Sequence, residues 1–185
     1  MAGTVILLNG ASSAGKSSIA RAVQARIEAP FWHYSIDHIR DAGMLPMERI
    51  RRGDFVWAEM RAAFFDGFHR SLPALVGAGN NLIVEIIFET REWLCELVTL
   101  LAPFDVFCVG VHCDLAELER REKARGDRRL GDARRDFETA HLHAIYDLEL
   151  DSTRPPERNA DRLIAAWKTR RGPSAFETLK ERLAS

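Results

Sequence analysis

Short apolar runs alternate along this chain with longer stretches of helical periodicity. Residues 4–9 (Thr-Val-Ile-Leu-Leu-Asn) read as a first strand that feeds into a glycine-bearing loop. Residues 16–28 place Ile19, Ala20, Val23, Ala25 and Ile27 in a mostly helical pattern, with Pro30 punctuating its end. A short second strand is predicted over 32–36, ending at Asp37. A long helix follows over 55–76, with Phe55, Met60, Phe64, Phe68 and Leu72 recurring along one face, although Pro73 weakens its far end. Leu82–Phe88 is a third strand, apolar except for Glu85; a helix over 91–101 stops at Pro103, and Val106–Val111 is a fourth strand. Asp114 caps a charged helix through Lys123, and Gly126 and Gly131 bracket a basic loop. A helix over 132–145, a fifth strand near 146–150 and a helix over 157–170 complete the domain.

Five strands interleaved with helices predict a three-layer α/β/α sandwich around a five-stranded parallel sheet. Right-handed crossovers then bring the strand carboxyl ends, and with them a ligand site, to one edge. The domain is expected over 1–171, with a lid about 120–135 and a short amphipathic tail over 172–185 after Gly172 and Pro173.

Composition narrows the function classes. A net charge of −1 gives no electrostatic case for nucleic-acid binding. The three cysteines, Cys95, Cys108 and Cys113, have neither metal-ligand spacing nor the even number of a disulfide framework. No stretch approaches the roughly 20 apolar residues of a membrane span, and the N-terminal run 5–8 lacks the basic flank of a signal peptide. A cytoplasmic enzyme with no membrane partner is the expectation.

Residues 10–17 match G-x-x-x-x-G-K-[ST] in full: Gly10, Ala11, Ser12, Ser13, Ala14, Gly15, Lys16 and Ser17, with Ser18 following. Such a loop binds phosphates because glycines let consecutive backbone N–H groups point inward. Gly10 and Gly15 are expected to supply that freedom, Lys16 a cation for the β- and γ-phosphates, and Ser17 a hydroxyl for Mg2+. The helix that starts there turns its positive end toward the anion. A strand before and a helix after give the motif its required context, so ATP and Mg2+ are the expected ligands.

The chain lacks the Asn-Lys-x-Asp sequence that reads guanine, and it is short for a motor ATPase. A small kinase remains. Asp37, directly after the second strand, is placed to orient and deprotonate an acceptor hydroxyl, or to cap the helix beginning at His38. Glu85 interrupts a buried strand and must be paired or close to a metal, so it either holds a magnesium-bound water or forms an ion pair with a neighbouring arginine. Arg125 and Arg128 lie in the basic loop, where a lid arginine would neutralise charge on the transferring phosphoryl group. Arg120 and Arg121 read as solvated surface, with Glu117 and Glu122 at helical spacing. His141 reads as a packed or capped histidine.

The run Leu-Asn-Gly-x-Ser-Ser-Ala-Gly-Lys-Ser at 8–17, Asp37, 109–114, 124–128 and the stretch from His141 to Thr153 together resemble the chloramphenicol 3-O-phosphotransferases. The resemblance covers roughly 4–168. It implies an ATP-dependent kinase acting on a primary hydroxyl of a chloramphenicol-like antibiotic. Asp37 would be the general base, Lys16 and Ser17 would hold ATP and Mg2+, and Arg125 and Arg128 would sit in the lid. The Asp151, Ser152 and Thr153 loop would approach the adenine. Two departures concern the acceptor side: the segment between Asp37 and the third strand is shorter than the family pattern, and that strand reads Val84-Glu85-Ile86 where the family has Ile-Asp-Asp.

Ten of the 16 aromatic residues fall between Phe31 and Trp93. Most would pack helices onto the sheet, and a surplus would line an apolar acceptor pocket. A nucleoside monophosphate acceptor would instead need converging arginines, for which Arg40, Arg51, Arg52, Arg61 and Arg91 are candidates. Three readings therefore stand: an antibiotic-type O-kinase, a nucleotide, sugar or cofactor kinase, and an ATP-binding regulatory or toxin-like module.

Overall fold

The computed structural model describes residues 1–125 and 130–184. Its strands are β1 (Thr4–Asn9), β2 (Phe31–Ser35), β3 (Asn81–Ile86), β4 (Asp105–His112) and β5 (Leu148–Asp151). They form one sheet of order β2-β3-β1-β4-β5, with every neighbouring pair parallel. The helices are α1 (Lys16–Gln24), α2 (Ile36–Ile39), α3 (Met47–Arg51), α4 (Trp57–Gly77), α5 (Arg91–Leu101), α6 (Leu115–Arg125), α7 (Asp132–Thr139), α8 (Pro156–Thr169) and α9 (Ala175–Ala184).

The central strands are buried on both faces, as a parallel sheet covered by helices must be. Alternate residues of each strand point to opposite faces. Ile6, Leu8, Ile83, Phe107 and Val109 pack with Ile19, Val23, Ala160 and Leu163 beneath α1 and α8. Val5, Leu7, Leu82, Val84 and Cys108 pack with Phe68, Leu72, Leu94, Leu97 and Phe176 beneath α4, α5 and α9. The expected three-layer sandwich is the observed one.

Element boundaries shift from the sequence expectation in several places, and four of the differences have a local reason. The first helix ends at Gln24, not 28, with Ala25 as its C-cap. Helix α4 runs through Pro73 to Gly77. A mid-helix proline costs about 3 kcal/mol, and the complete burial of Leu72 and Val76 on either side offsets it. The helix expected over 132–145 stops at Thr139, because the Ala140 carbonyl and the Tyr146 hydroxyl turn inward to meet Asn9, and His141 meets the same tyrosine hydroxyl. The last strand begins at Leu148, not 146: the Asp147 carboxylate instead accepts from the backbone N–H of Cys108 (2.7 Å) and of Ala175 (2.8 Å).

The second contact docks the start of α9. Ala175, Phe176 and Leu179 of α9 are buried in the same cluster as α5 and β4, so this helix completes one outer layer. By contrast, no residue of 36–51 is buried, and the chain there runs through α2, a π-turn over Arg40–Met44 and α3. Gly43 and Gly53 both take left-handed φ values, +81° and +83°.

Candidate active site

The loop from Gly10 to Gly15 joins β1, the central strand, to α1 at the carboxyl edge of the sheet. That edge is where ligands bind in open parallel sheets. Gly15 has φ +88° and immediately precedes α1, and Ser13 shares the left-handed region at +64°. Gly10 does not, which corrects the expectation of conformational freedom there. A Cβ at Gly10 would lie 2.4 Å from the backbone oxygen of Val111, so glycine is required for close passage against β4.

Lys16 is buried, and its ammonium donates to the carbonyls of Gly10 (2.6 Å) and Ala11 (2.9 Å) across the loop. The Ser12 N–H donates to the buried Asp136 carboxylate at 3.1 Å, and Asp136 in turn accepts from Arg135 at 2.9 Å. Helix α7 is thereby fastened to the phosphate loop. Nothing in the linear pattern marked Asp136.

Register places Leu8 opposite Glu85 in the β1–β3 pairing, one strand over from the loop. Ser17 donates through its hydroxyl to Glu85 Oε2 at 2.9 Å, and His33 Nε2 meets Oε1 at 2.5 Å. Burial pushes the Glu85 carboxyl upward, but His33, the Lys16 charge and Ser17 together hold it below its ordinary range. The partner of this buried carboxylate is therefore a histidine, not the arginine considered as its alternative. A hydroxyl and a carboxylate oxygen side by side are hard ligands, which suits Mg2+ bound by few protein groups. Among the described residues no group of three or more His, Cys, Asp and Glu side chains could by itself hold a metal.

Asp37 follows on α2. The cap of that helix is Ser35, whose hydroxyl accepts from the His38 N–H at 3.2 Å, so the capping alternative for Asp37 is not what the structure shows. Its Oδ1 lies 3.2 Å from Arg40 Nη1.

One cleft of about 1400 Å³ joins these parts. Ser12 to Ser18, Asp37 and Glu85 line it, as do Ser152 and Thr153 after β5 and Arg125 at the end of α6. Gly10 and Ala11, at the start of the loop, and Asp151 do not line it; the Asp151 carboxylate accepts from the Thr153 N–H at 2.9 Å and hydroxyl at 2.6 Å. Arg128 lies outside the described residues.

Arg121, expected as solvated surface, lines the cleft. Its Nε donates to Glu117 at 2.7 Å and its Nη2 to the Ser152 carbonyl at 3.0 Å, and Nη1 lies 3.3 Å from where a Cβ on Gly15 would stand. The signal was present as an i, i+4 relation to Arg125. Glu122, one residue further, leaves that face and is buried, accepting from the N–H groups of Gly131 and Ala133 at the start of α7.

The far half of the cleft is walled by α4, which presents Trp57, Arg61, Phe65 and His69 at successive four-residue steps, with Phe68 beside them. Arg61 donates to both oxygens of Glu89 (2.6 and 2.7 Å) and lies over the rings of Phe65 and Trp93. Of the five candidate arginines only Arg40 and Arg61 line this cleft, and each faces a carboxylate. Arg51, Arg52 and Arg91 do not line it.

Behind the loop, Asn9 is fully buried. Its amide nitrogen donates to the Ala140 carbonyl (2.7 Å) and the Tyr146 hydroxyl (2.6 Å), and its oxygen accepts from the Phe88 N–H (2.9 Å). His141 Nδ1 meets the same tyrosine hydroxyl at 2.6 Å and its ring stacks on His112. Burial, then the charges of His112 and Lys16, push the His141 imidazole down to about 4.

A parallel sheet opened by a P-loop, with carboxylates and arginines converging on the loop, defines a P-loop kinase. The chain belongs to the chloramphenicol phosphotransferase-like protein family, which it matches over residues 3–168. It is 34% identical over 203 residues to a Mycobacterium tuberculosis protein named as a candidate O-phosphotransferase, covering 99% of this chain and 90% of that one. Solved structures of the same fold include the APS kinase of Mycobacterium tuberculosis in complex with AMPPNP and APS. There the TM-score is 0.68 at 20% identity, over 91% of this chain and 99% of that one. A gluconokinase from Sinorhizobium meliloti 1021 gives 0.58 at 16%, over 98% and 95%. The shikimate kinase of Aquifex aeolicus vf5 gives 0.57 at 14%, over 89% and 96%.

Proposed function

We propose that this phosphotransferase moves the γ-phosphate of ATP to a hydroxyl of an uncharged, partly aromatic small molecule of the chloramphenicol type. The observation that carries the reading is the composition of this cleft. The phosphate loop and Asp37 share it with the aromatic wall of α4, and the two arginines on that side, Arg40 and Arg61, already face carboxylates. Paired cations offer little to a phosphate or carboxylate on the acceptor, and burying such an anion beside Asp37, Glu85 and Glu89 would be costly.

In this reading the loop N–H groups and Lys16 hold the β- and γ-phosphates. Ser17 and Glu85 would hold Mg2+, which supplies neutralising charge between the phosphate oxygens. Asp37 accepts the proton of the acceptor hydroxyl as the new O–P bond forms and the bond to the β-phosphate oxygen breaks, leaving ADP. Arg125, and Arg121 beside it, stabilise the charge on the equatorial oxygens, with Arg128 assigned the same lid role. Ser152 and Thr153 border the adenine. Residues 1–171 carry this site, and α6 and α7 frame the lid over about 120–135.

The test is hydroxyl-dependent ATP consumption with a panel of chloramphenicol, uncharged aromatic alcohols, sugars and nucleoside monophosphates. Stimulation by the first two groups is expected. Stimulation by nucleoside monophosphates alone would replace this reading with a nucleotide kinase, and no stimulation by any compound would favour a nucleotide-sensing module.

A further inference from the structure

The last member of the α4 ladder is a histidine that the phosphoryl-transfer scheme does not use. His69 lines the acceptor half of the cleft, yet its side chain is only 1% exposed. Along the ladder, Trp57, Arg61 and Phe65 are half-buried and His69 is buried, so the wall becomes drier toward it. Rings of Trp93, Phe68 and Phe65 surround the imidazole at 5.5, 6.0 and 6.5 Å between centroids.

The two ring nitrogens differ. Nδ1 faces Glu96 Oε2 at 3.4 Å, and a carboxylate can only accept, so Nδ1 carries the proton. Nε2 is then a lone-pair acceptor, and among the described residues it has no hydrogen-bond partner. Burial lowers the proton affinity of the ring, which Glu96 and Asp66 partly restore. Buried polar atoms without a partner are few in native proteins. Nε2 is itself closed to solvent, but the side chain that carries it lines the cleft, so a ligand seated against this wall is the partner within closest reach.

We propose that His69 Nε2 is a specificity contact of the acceptor site, taking a hydrogen bond from an O–H or N–H group that the acceptor carries in addition to the hydroxyl that is phosphorylated. The inference rests on reading the Asp37 side of the cleft as the acceptor site. Glu96 acts through His69, as a positioning residue that fixes the tautomer. The preferred acceptor is thereby an uncharged molecule with an aromatic portion for Trp57 and Phe65 and a second hydrogen-bond donor. A site that offers only a lone pair discriminates against an analogue that lacks the donor.

The test uses the full chain with nitrogen-15 labelled histidine, and two probes of nearly one shape that share the reacting hydroxyl: 4-hydroxybenzyl alcohol, which carries a second donor, and 4-fluorobenzyl alcohol, which does not. The His69 Nε2 resonance, identified by its loss in His69→Phe, is expected to shift on addition of the hydroxy probe and not of the fluoro probe. The hydroxy probe should bind about tenfold more tightly than the fluoro probe, as one recovered hydrogen bond implies. His69→Phe should bring the two probes within about twofold, and His69→Gln, which keeps an acceptor atom, should retain part of the preference. Equal binding of both probes to the unmodified protein, or an Nε2 resonance that neither probe moves, would overturn the proposal. Failure of the kinase reading shows instead as absent hydroxyl-dependent ATP consumption, a readout this experiment does not use.

Discussion

Ser17 and Glu85 meet across the β1–β3 boundary, the serine hydroxyl donating to the carboxylate at 2.9 Å. The pair joins the first turn of the helix behind the phosphate loop to the strand beside it. His33 holds the other Glu85 oxygen, so the carboxylate is fixed in orientation and kept ionised despite burial.

Replacing Glu85 with Gln keeps the shape and removes the charge. The magnesium concentration needed for half-maximal activity should rise about 10- to 100-fold, the usual cost of losing a group that supports a metal. A magnesium titration of activity checks it. An unchanged requirement would return Glu85 to a purely structural role with His33.

Arg121 bridges α6 to the loop after β5 and reaches the phosphate loop at Gly15. If it contacts nucleotide phosphate, Arg121→Ala removes a charge-assisted hydrogen bond, and ATP binding should weaken about 10- to 100-fold. Calorimetric titration with ATP measures this directly, and binding within a factor of two would place Arg121 outside the nucleotide contacts.

His141 gives a pH dependence of definite sign. Its imidazole is held down to about 4 in the folded protein, so the unfolded chain binds the extra proton first as pH falls. Its contribution is therefore fully present above about 6.5 and is lost progressively as pH drops toward 4. The melting temperature should decline through that window, and the decline should be shallower in His141→Gln. Parallel curves for the two proteins would contradict the assignment.

The C-terminal helix is part of the core and not an appendage. Phe176 is 4% exposed among residues of α5 and the sheet. Phe176→Ala should cost about 3–5 kcal/mol, readable as a lower denaturant midpoint. Activity measured well below the melting transition should persist, since α9 does not line the cleft.

Much of the fold was legible because a parallel sheet writes itself as short apolar runs, and the phosphate loop because its motif is contiguous. The acceptor wall was harder to read. The α4 pattern drew attention to Phe55, Met60, Phe64, Phe68 and Leu72, of which only Phe68 lines the cleft; the others there are Trp57, Ala58, Arg61, Phe65 and His69, a mixed stripe with no apolar period. Asp136 and Asn9 were missed for a related reason: their contacts span 124 and up to 137 positions. Such contacts are set by how the sheet edge brings distant loops together, and no local pattern carries them. Glu85 was visible as an anomaly in its strand, but its histidine partner came from the β2–β3 register.

The central claim is that Asp37 and the phosphate loop act on one acceptor hydroxyl in a shared cleft. The most direct measurement is transfer of radiolabelled γ-phosphate from ATP to chloramphenicol and the uncharged aromatic alcohols, by the unmodified protein, by Asp37→Asn and by Lys16→Ala. The account predicts labelled acceptor with the unmodified protein and a fall in kcat of about 10²- to 10⁴-fold in Asp37→Asn, the range of a lost general base, with ATP binding retained. Lys16→Ala should lose ATP affinity as well. Label transfer undiminished in Asp37→Asn would contradict the account.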